Sequence, residues 1–281
     1  MIRTPSFFRV LTLTALTCGA VLFAGPVARA ERTPPPPIVE LQNPVRTDTA
    51  ISVGVTEGLP LDIRFDAMKE AALSYGARGG LAWRTWEIRN ELENTSDYMD
   101  KVFDFRQLLI AAPSGLLIEP PIVSEQENAL LIEAGGQSAA VSDRVYSISA
   151  NAKIVATARV WRNYLERDWG KVTPPPDVLL PETPEEQERW ENWVQIGWER
   201  GVEQADEIFQ ADLQALSADY QGMVRYRMLL AQDMVSQPYA LHVDRGVTGG
   251  GDVMRVGDRA VQITGKPELK PGSDTWLPAS R

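Results

Sequence analysis

One histidine and one cysteine occur in the 281 residues, so the inventory for side-chain chemistry is short. His242 precedes Asp244 by two positions in Ala240-Leu241-His242-Val243-Asp244. On a strand that spacing sets both side chains on one face, as a general base and its orienting carboxylate would be. A dyad of this kind needs a nucleophile, and the sequence has neither a Gly-x-Ser-x-Gly elbow nor a cysteine beyond residue 30. His242 therefore reads as structural. The acid pairs Glu185/Glu186 and Glu199/Glu203 have the residue types for acid–base work or for Ca2+. However, Glu185 and Glu186 open a helix, where carboxylates complement the dipole, and no Asp-x-Asp-x-Asp-Gly loop is present. A solvated helix face is the better reading of both pairs. Gly249-Gly250-Gly251 lacks the preceding strand, following helix and lysine of a phosphate loop and reads as a hairpin tip. The expectation is no enzyme, no cofactor and no metal.

Charge narrows the class further. A net charge of -10 and a pI near 4.8 argue against a nucleic-acid binder that works by neutralising phosphates. A lone cysteine excludes a disulfide scaffold or a multi-cysteine zinc site. With 44% hydrophobic and 23% charged residues, the chain cannot be disordered throughout.

The elements follow from punctuation and period. Residues 1–30 carry Arg3, Arg9 and Arg29 and no acid, with an apolar run from Val10 to Gly25 and small residues at Ala28 and Ala30, the pattern of a secretory signal cut after Ala30. Cys18, in Ala15-Leu16-Thr17-Cys18-Gly19, is the alternative: a degraded lipidation box that would anchor the chain. Removing the leader makes the chain more acidic still. Residues 31–60, with Pro34-Pro35-Pro36-Pro37, read as a proline-rich tether or disordered leader without a core of its own. Residues 61–278 form the expected single domain. Leu61, Phe65, Met68, Ala72, Gly76, Gly80 and Trp83 recur at helical spacing, and the helical region extends over 61–112, with a second piece from Tyr98 to Ala112 stopped by Pro113-Ser114-Gly115. Short β-rich runs fill 116–157, and Trp161 to Trp169 reads as a short helix. Thr183-Pro184-Glu185-Glu186 combines an N-cap, a first-position proline and a capping-box glutamate, opening a helix over 183–235. Unbroken, it would be ~80 Å long at 1.5 Å per residue, so it is expected to bend, break near Gly222 or project. A hairpin over 239–269 is expected to turn at Gly257-Asp258.

The order of helix then strands thus occurs twice, an α+β fold with two long helical segments packed together and β-hairpins after each. Val141 to Ile148 and Val256 to Ile263 share an Asp-Arg pair that fits a tight turn entering a strand, a similarity equally open to duplication and to chance. Gly76/Gly80 and Gly197/Gly201 sit on the apolar faces of the two helices. Since each interior glycine costs about 1 kcal/mol against alanine, the helices are expected to cross at these four residues. Trp83, Trp86, Trp190, Trp193 and Trp198 form two helix-borne clusters, to be divided between core and partner interface.

Three stretches then carry a resemblance: Glu70 to Arg84 (EAALSYGARGGLAWR), Gly197 to Asp206 (GWERGVEQAD), and Leu229 to Tyr239 (LLAQDMVSQPY) with Gly246 to Gly249 (GVTG). They closely resemble the DotC family of type IVB secretion systems, called TraI in related conjugative transfer systems, over roughly residues 60–278. The resemblance implies a non-enzymatic structural subunit of the outer-membrane core complex. Such a subunit sits at the periplasmic face of the outer membrane beside a DotD-like lipoprotein and helps place a DotH-like channel subunit in a ring that passes protein or DNA–protein substrates. Family members are lipoproteins, whereas Cys18 here lies inside the apolar run. Two other readings stay open: a periplasmic hydrolase or ligand-binding protein using an acid pair, and a periplasmic chaperone that does not remain in the final complex.

Overall fold

The computed structural model describes residues 33–45, 61–112, 115–132 and 139–278. The leader, with Cys18, Ala28 and Ala30, lies outside the described residues, as do 46–60 of the expected tether. In chain order the elements are α1 (Ile38–Gln42), α2 (Leu61–Asn94), α3 (Ser96–Val102), β1 (Ile110–Ala111), β2 (Leu117–Glu119), β3 (Ile122–Ile132), β4 (Ala139–Ala150), β5 (Lys153–Val155), α4 (Arg162–Leu165), α5 (Pro184–Ala231), β6 (Tyr239–Gly250) and β7 (Val253–Gly265). Helices precede strands twice, and all strand pairs are antiparallel: a three-stranded sheet ordered β1-β2-β5, and two separate hairpins, β3-β4 and β6-β7. The fold is α+β.

The start of α5 follows from its capping residues. The Thr183 hydroxyl accepts a hydrogen bond from the Glu186 N–H at 3.2 Å, Pro184 fills the first turn where no N–H is needed, and the Glu186 carboxylate accepts from the Glu182 N–H at 2.8 Å. Arg64 donates to the same carboxylate at 2.6 Å, pinning the start of α2 to the start of α5. Twenty residues further along each helix, Arg84 donates to Asp206 at 2.8 Å. Both contacts span the same sequence separation of 122 residues, so α2 and α5 run in the same direction. A parallel helix pair needs a long return path, and the chain between α2 and α5 supplies it.

The seam is built of glycine. A β-carbon added to Gly76 or Gly80 would overlap the carbonyl oxygen of Val194 or Trp198, and one added to Gly197 or Gly201 would overlap that of Leu73 or Ala77. Around this seam Leu41, Met68, Ala72, Tyr75, Leu180, Trp190, Trp193 and Val194 form one core. A second gathers Ile88, Leu92, Met99, Phe105, Trp161, Leu165, Leu216 and Met223. A third joins Val123 of β3 to Tyr226 and Leu229 of α5. A fourth sets Ala240, Val261 and Ile263 of the last hairpin on Ala112, Ile118 and Ile154.

Several boundaries differ from the sequence reading. Residues expected in the tether form α1: Leu41 is fully buried, and its carbonyl accepts from the Trp190 indole at 3.1 Å, so the tether's start has a core position after all. The expected helix over 98–112 ends at Val102, where Phe103 leaves helical geometry, and is followed by a 3-10 turn at Phe105–Leu108 and by β1. Only Arg162–Leu165 of the 161–169 stretch is helical. The remainder is a strap, with Arg167 paired to Asp212 at 2.6 Å and the Trp169 indole donating to Thr85 at 2.9 Å. Helix α5 passes through Gly222 unbroken, because that glycine is where Ile122 and Val123 press against the helix. It ends at Ala231 instead of 235, with Asp233 in the left-handed region at φ 56°. Gly257 is no hairpin turn: it is a bulge within β7 at φ 70°, opposite the irregularity at Gly246, and the real tip lies at Gly251-Asp252. Asp143-Arg144 and Asp258-Arg259 likewise lie inside strands β4 and β7 rather than at turns.

The seam makes a sign-reversing prediction. At an exposed helical site Gly→Ala stabilises by up to ~1 kcal/mol, whereas Gly201→Ala should destabilise by about 2 kcal/mol, since two backbones must separate. Urea denaturation of this variant checks it, and unchanged or raised stability contradicts the close seam.

Candidate assembly surface

The chemically richest cluster lies where the small sheet meets α5. Glu119 ends β2 and is buried at 4% exposure. Arg159 donates to both its oxygens, to one at 3.0 Å from Nε, and also reaches Asp219 at 2.7 Å and the Tyr164 hydroxyl. Tyr164 donates to the same Asp219 oxygen at 2.6 Å, and Lys153 lies 3.2 Å from Glu119. Burial alone would lower the Arg159 pKa, but its hydrogen bonds to Glu119 and Tyr164 raise it overall. Burial first, and then the bond to Asp219, push Tyr164 up to about 12. A shallow cleft of about 360 Å3 opens beside these residues. Each carboxylate in it is already engaged by a cation or a phenol, so the cluster ties β2, α4 and α5 together and offers no free base. Its signal in the sequence was absent: Glu119, Arg159 and Asp219 are far apart along the chain and follow no motif.

The residues singled out from sequence scatter. His242 is exposed on β6 opposite Val261, and the Asp244 carboxylate accepts from the Gly246 N–H at 3.0 Å, so this acid caps a bulge. Gly249 to Gly251 lead into the hairpin tip. Glu186 serves Arg64, whose hydrogen bond, against a smaller opposing effect of burial, holds its carboxyl below the usual carboxylate range. Glu199 and Glu203 are exposed on α5, with the Gln195 amide donating to Glu199 at 2.8 Å. Among the described residues no group of His, Cys, Asp and Glu is placed to hold a metal ion.

The tryptophans divide. Trp190 and Trp193 are buried, Trp190 against Tyr75 and Trp193 edge-on to Phe65 at 5.1 Å. Both were candidates for a partner interface and are corrected to core, because α1 and α2 cover them. Trp83, Trp86 and Trp198 are half-buried at the rim of the seam, with ring centroids 5.5 Å apart for Trp83/Trp86 and 6.2 Å for Trp83/Trp198. The glycines position this trio: Gly80 packs on the Trp198 backbone and Gly79 on its ring. Gly79 and Gly222 belong with the four contact glycines and were missed, Gly79 because it breaks the four-residue spacing and Gly222 because it faces a strand.

The second surface is the β6-β7 ribbon. Leu241, Val243, Val247, Val253, Met254 and Val256 are 46–73% exposed, and only the base of the ribbon packs on the small sheet. No helix among the described residues is long and apolar enough to cross a membrane.

These features define an α+β chain whose polar clusters close on themselves while tryptophans and an apolar ribbon remain outside. A family model for the type IV secretory system in conjugal DNA-protein transfer matches residues 62–278, and the chain belongs to that family. It is thus a component of a multi-subunit secretion complex. No curated protein matches the chain.

Two measurements test the closed cluster. Arg159→Met should cost about 3 kcal/mol of folding stability, because it leaves Glu119 buried with only Lys153 beside it. Tyr164 and Tyr226, both pushed up to about 12 from 10.0 chiefly by burial, keep their protons in the folded chain after the unfolded chain has lost them. Stability should therefore fall as pH rises from about 10 towards 12, and Tyr164→Phe should flatten part of that slope in urea titrations at fixed pH.

Proposed function

We propose that this chain is a structural assembly subunit of the outer-membrane core complex of a type IVB secretion or conjugation system. It is exported by the leader 1–30, which is cleaved after Ala30, and works in the periplasm against the outer membrane. There it lies beside a DotD-like lipoprotein and helps place a DotH-like channel subunit in the ring. Family membership over 62–278 supports the secretion role. The observation that carries the scaffold reading is the β6-β7 ribbon, because a two-stranded ribbon is marginal by itself and this one exposes valines, a leucine and a methionine almost to its tip. Exposed apolar area of this kind marks an interaction site.

The membrane complex, purified through a tag on a ring subunit, should contain this chain in fixed stoichiometry. Recovery only in trace amounts would overturn the scaffold in favour of a chaperone that leaves. His242→Ala and Glu185→Gln should leave substrate transfer unchanged, whereas its loss in either would point to an enzyme. Palmitate should not label the chain. Labelling abolished by Cys18→Ser would instead establish a lipid anchor.

A further inference from the structure

We propose that the aromatic and acidic face formed by α2 and α5 at the end of their seam docks a basic amphipathic helix of a partner protein. Trp198 and Val202 line an open groove along α5 together with Glu199, Glu203, Asp206 and Glu207, and the half-buried rings of Trp83 and Trp86 extend the aromatic surface beside it, Trp83 against Trp198 and Trp86 against Trp83. Asp206 is engaged by Arg84, as is Glu87, which also accepts the Trp83 indole N–H at 2.9 Å. Glu199, Glu203 and Glu207 are different. They recur every four residues on one helix face, all exposed, and none forms an ion pair with a described residue. Arg200 is the sole base between Trp198 and Gln210.

Like charges four residues apart destabilise a helix, so α5 keeps a stripe that works against its own stability. The occupant follows from complementarity. Anionic lipid headgroups and nucleic-acid phosphates are repelled by this stripe, whereas lysines or arginines at the same helical spacing would neutralise it while apolar residues beside them cover the tryptophans. Indole faces also attract such cations. A helix laid along a groove is the mode that matches residues repeating at four-residue steps. Acid stripes of this kind also speed encounter with a basic partner.

The inference stands on the surface alone and is tested on the purified chain, so it can fail while the assembly role stands. The probe is a synthetic amphipathic helix of leucine and lysine, titrated while tryptophan emission and calorimetric heat are followed, with a leucine–glutamate counterpart beside it. The lysine peptide should bind and the glutamate peptide should not. Glu199→Lys with Glu203→Lys should weaken binding by about tenfold or more, and Trp86→Ala should weaken it as well. Glu268→Lys with Asp274→Lys makes the same change in net charge elsewhere on the surface and should leave affinity within about twofold. Equal loss in both double variants would reduce the effect to net charge and overturn the proposal. So would unchanged binding in the first double variant, or binding to anionic phospholipid vesicles in place of the peptide.

Discussion

Four glycines hold α2 and α5 so close that carbonyl oxygens of one helix occupy the space a β-carbon would need on the other. The two helices run in the same direction, and a parallel pair cannot be closed by a short loop. The intervening chain must travel back the length of the pair before α5 begins. That return path is where β1 to β5 and the strap at 161–169 are made. Arg167 and Trp169 fasten the strap to α5 and α2, respectively, so the path back also braces the pair it connects. At their starts the helices are joined by Arg64 and Glu186, and twenty residues on by Arg84 and Asp206. These ion pairs are partly exposed and contribute little each. They set register, while the stability of the seam rests on its packing and on the cores that flank it.

The same helix serves a second partner further along. Gly222 lets β3 come down onto α5, and Arg225 donates to the Val123 carbonyl and to Glu125, both at 2.8 Å, holding the base of the first hairpin. Arg159, Glu119 and Asp219 hold the small sheet to the stretch of α5 just before. One 48-residue helix is thus a spine with a helical partner on its first half and β structure on its second. This is why burial recurs along α5 from Trp190 to Leu229, and why so long a helix need not project from the fold.

How much of this was legible depended on whether the physics was local. The start of α5 is a local matter of Thr183, Pro184 and Glu186, and its signature is in consecutive residues. The four seam glycines stand out because glycine is costly within a helix and these repeat at a four-residue step on apolar faces. Gly222 and Gly257 carry the same residue type with opposite consequences. The first is forced by a strand arriving from elsewhere in the chain, and the second by a bulge that depends on Gly246 in the facing strand, so neither can be read from neighbours alone. Leu41 was hidden for the same reason: a lone hydrophobic turn after four prolines has no local core, and its burial against Trp190 exists only once α2 and α5 have come together. The Glu119, Arg159 and Asp219 cluster is the extreme case, since its members share no spacing at all.

The β6-β7 ribbon shows how a bulge determines what a surface can do. Paired residues share a face, and the extra residue at Arg245 with Gly257 opposite shifts the alternation by one step. Thr248 and Asp258 are hydrogen-bonded at 2.7 Å on one side, which leaves Val247, Met254 and Val256 on the side that buries Ala240, Val261 and Ile263 at the base. Without the shift, those three residues would fall on the opposite face from the buried base. With it, these three exposed residues continue the side whose base packs on the small sheet, beyond the Asp244 and Arg259 pair that lies between them and that base. A ribbon held only at its base gains stability by extending that covered region, and nothing further in the described chain can extend it. A surface that covered this side of the arm would extend the packing that already holds its base, so the stability of the arm and the burial of its exposed valines and methionine draw on one and the same kind of interaction.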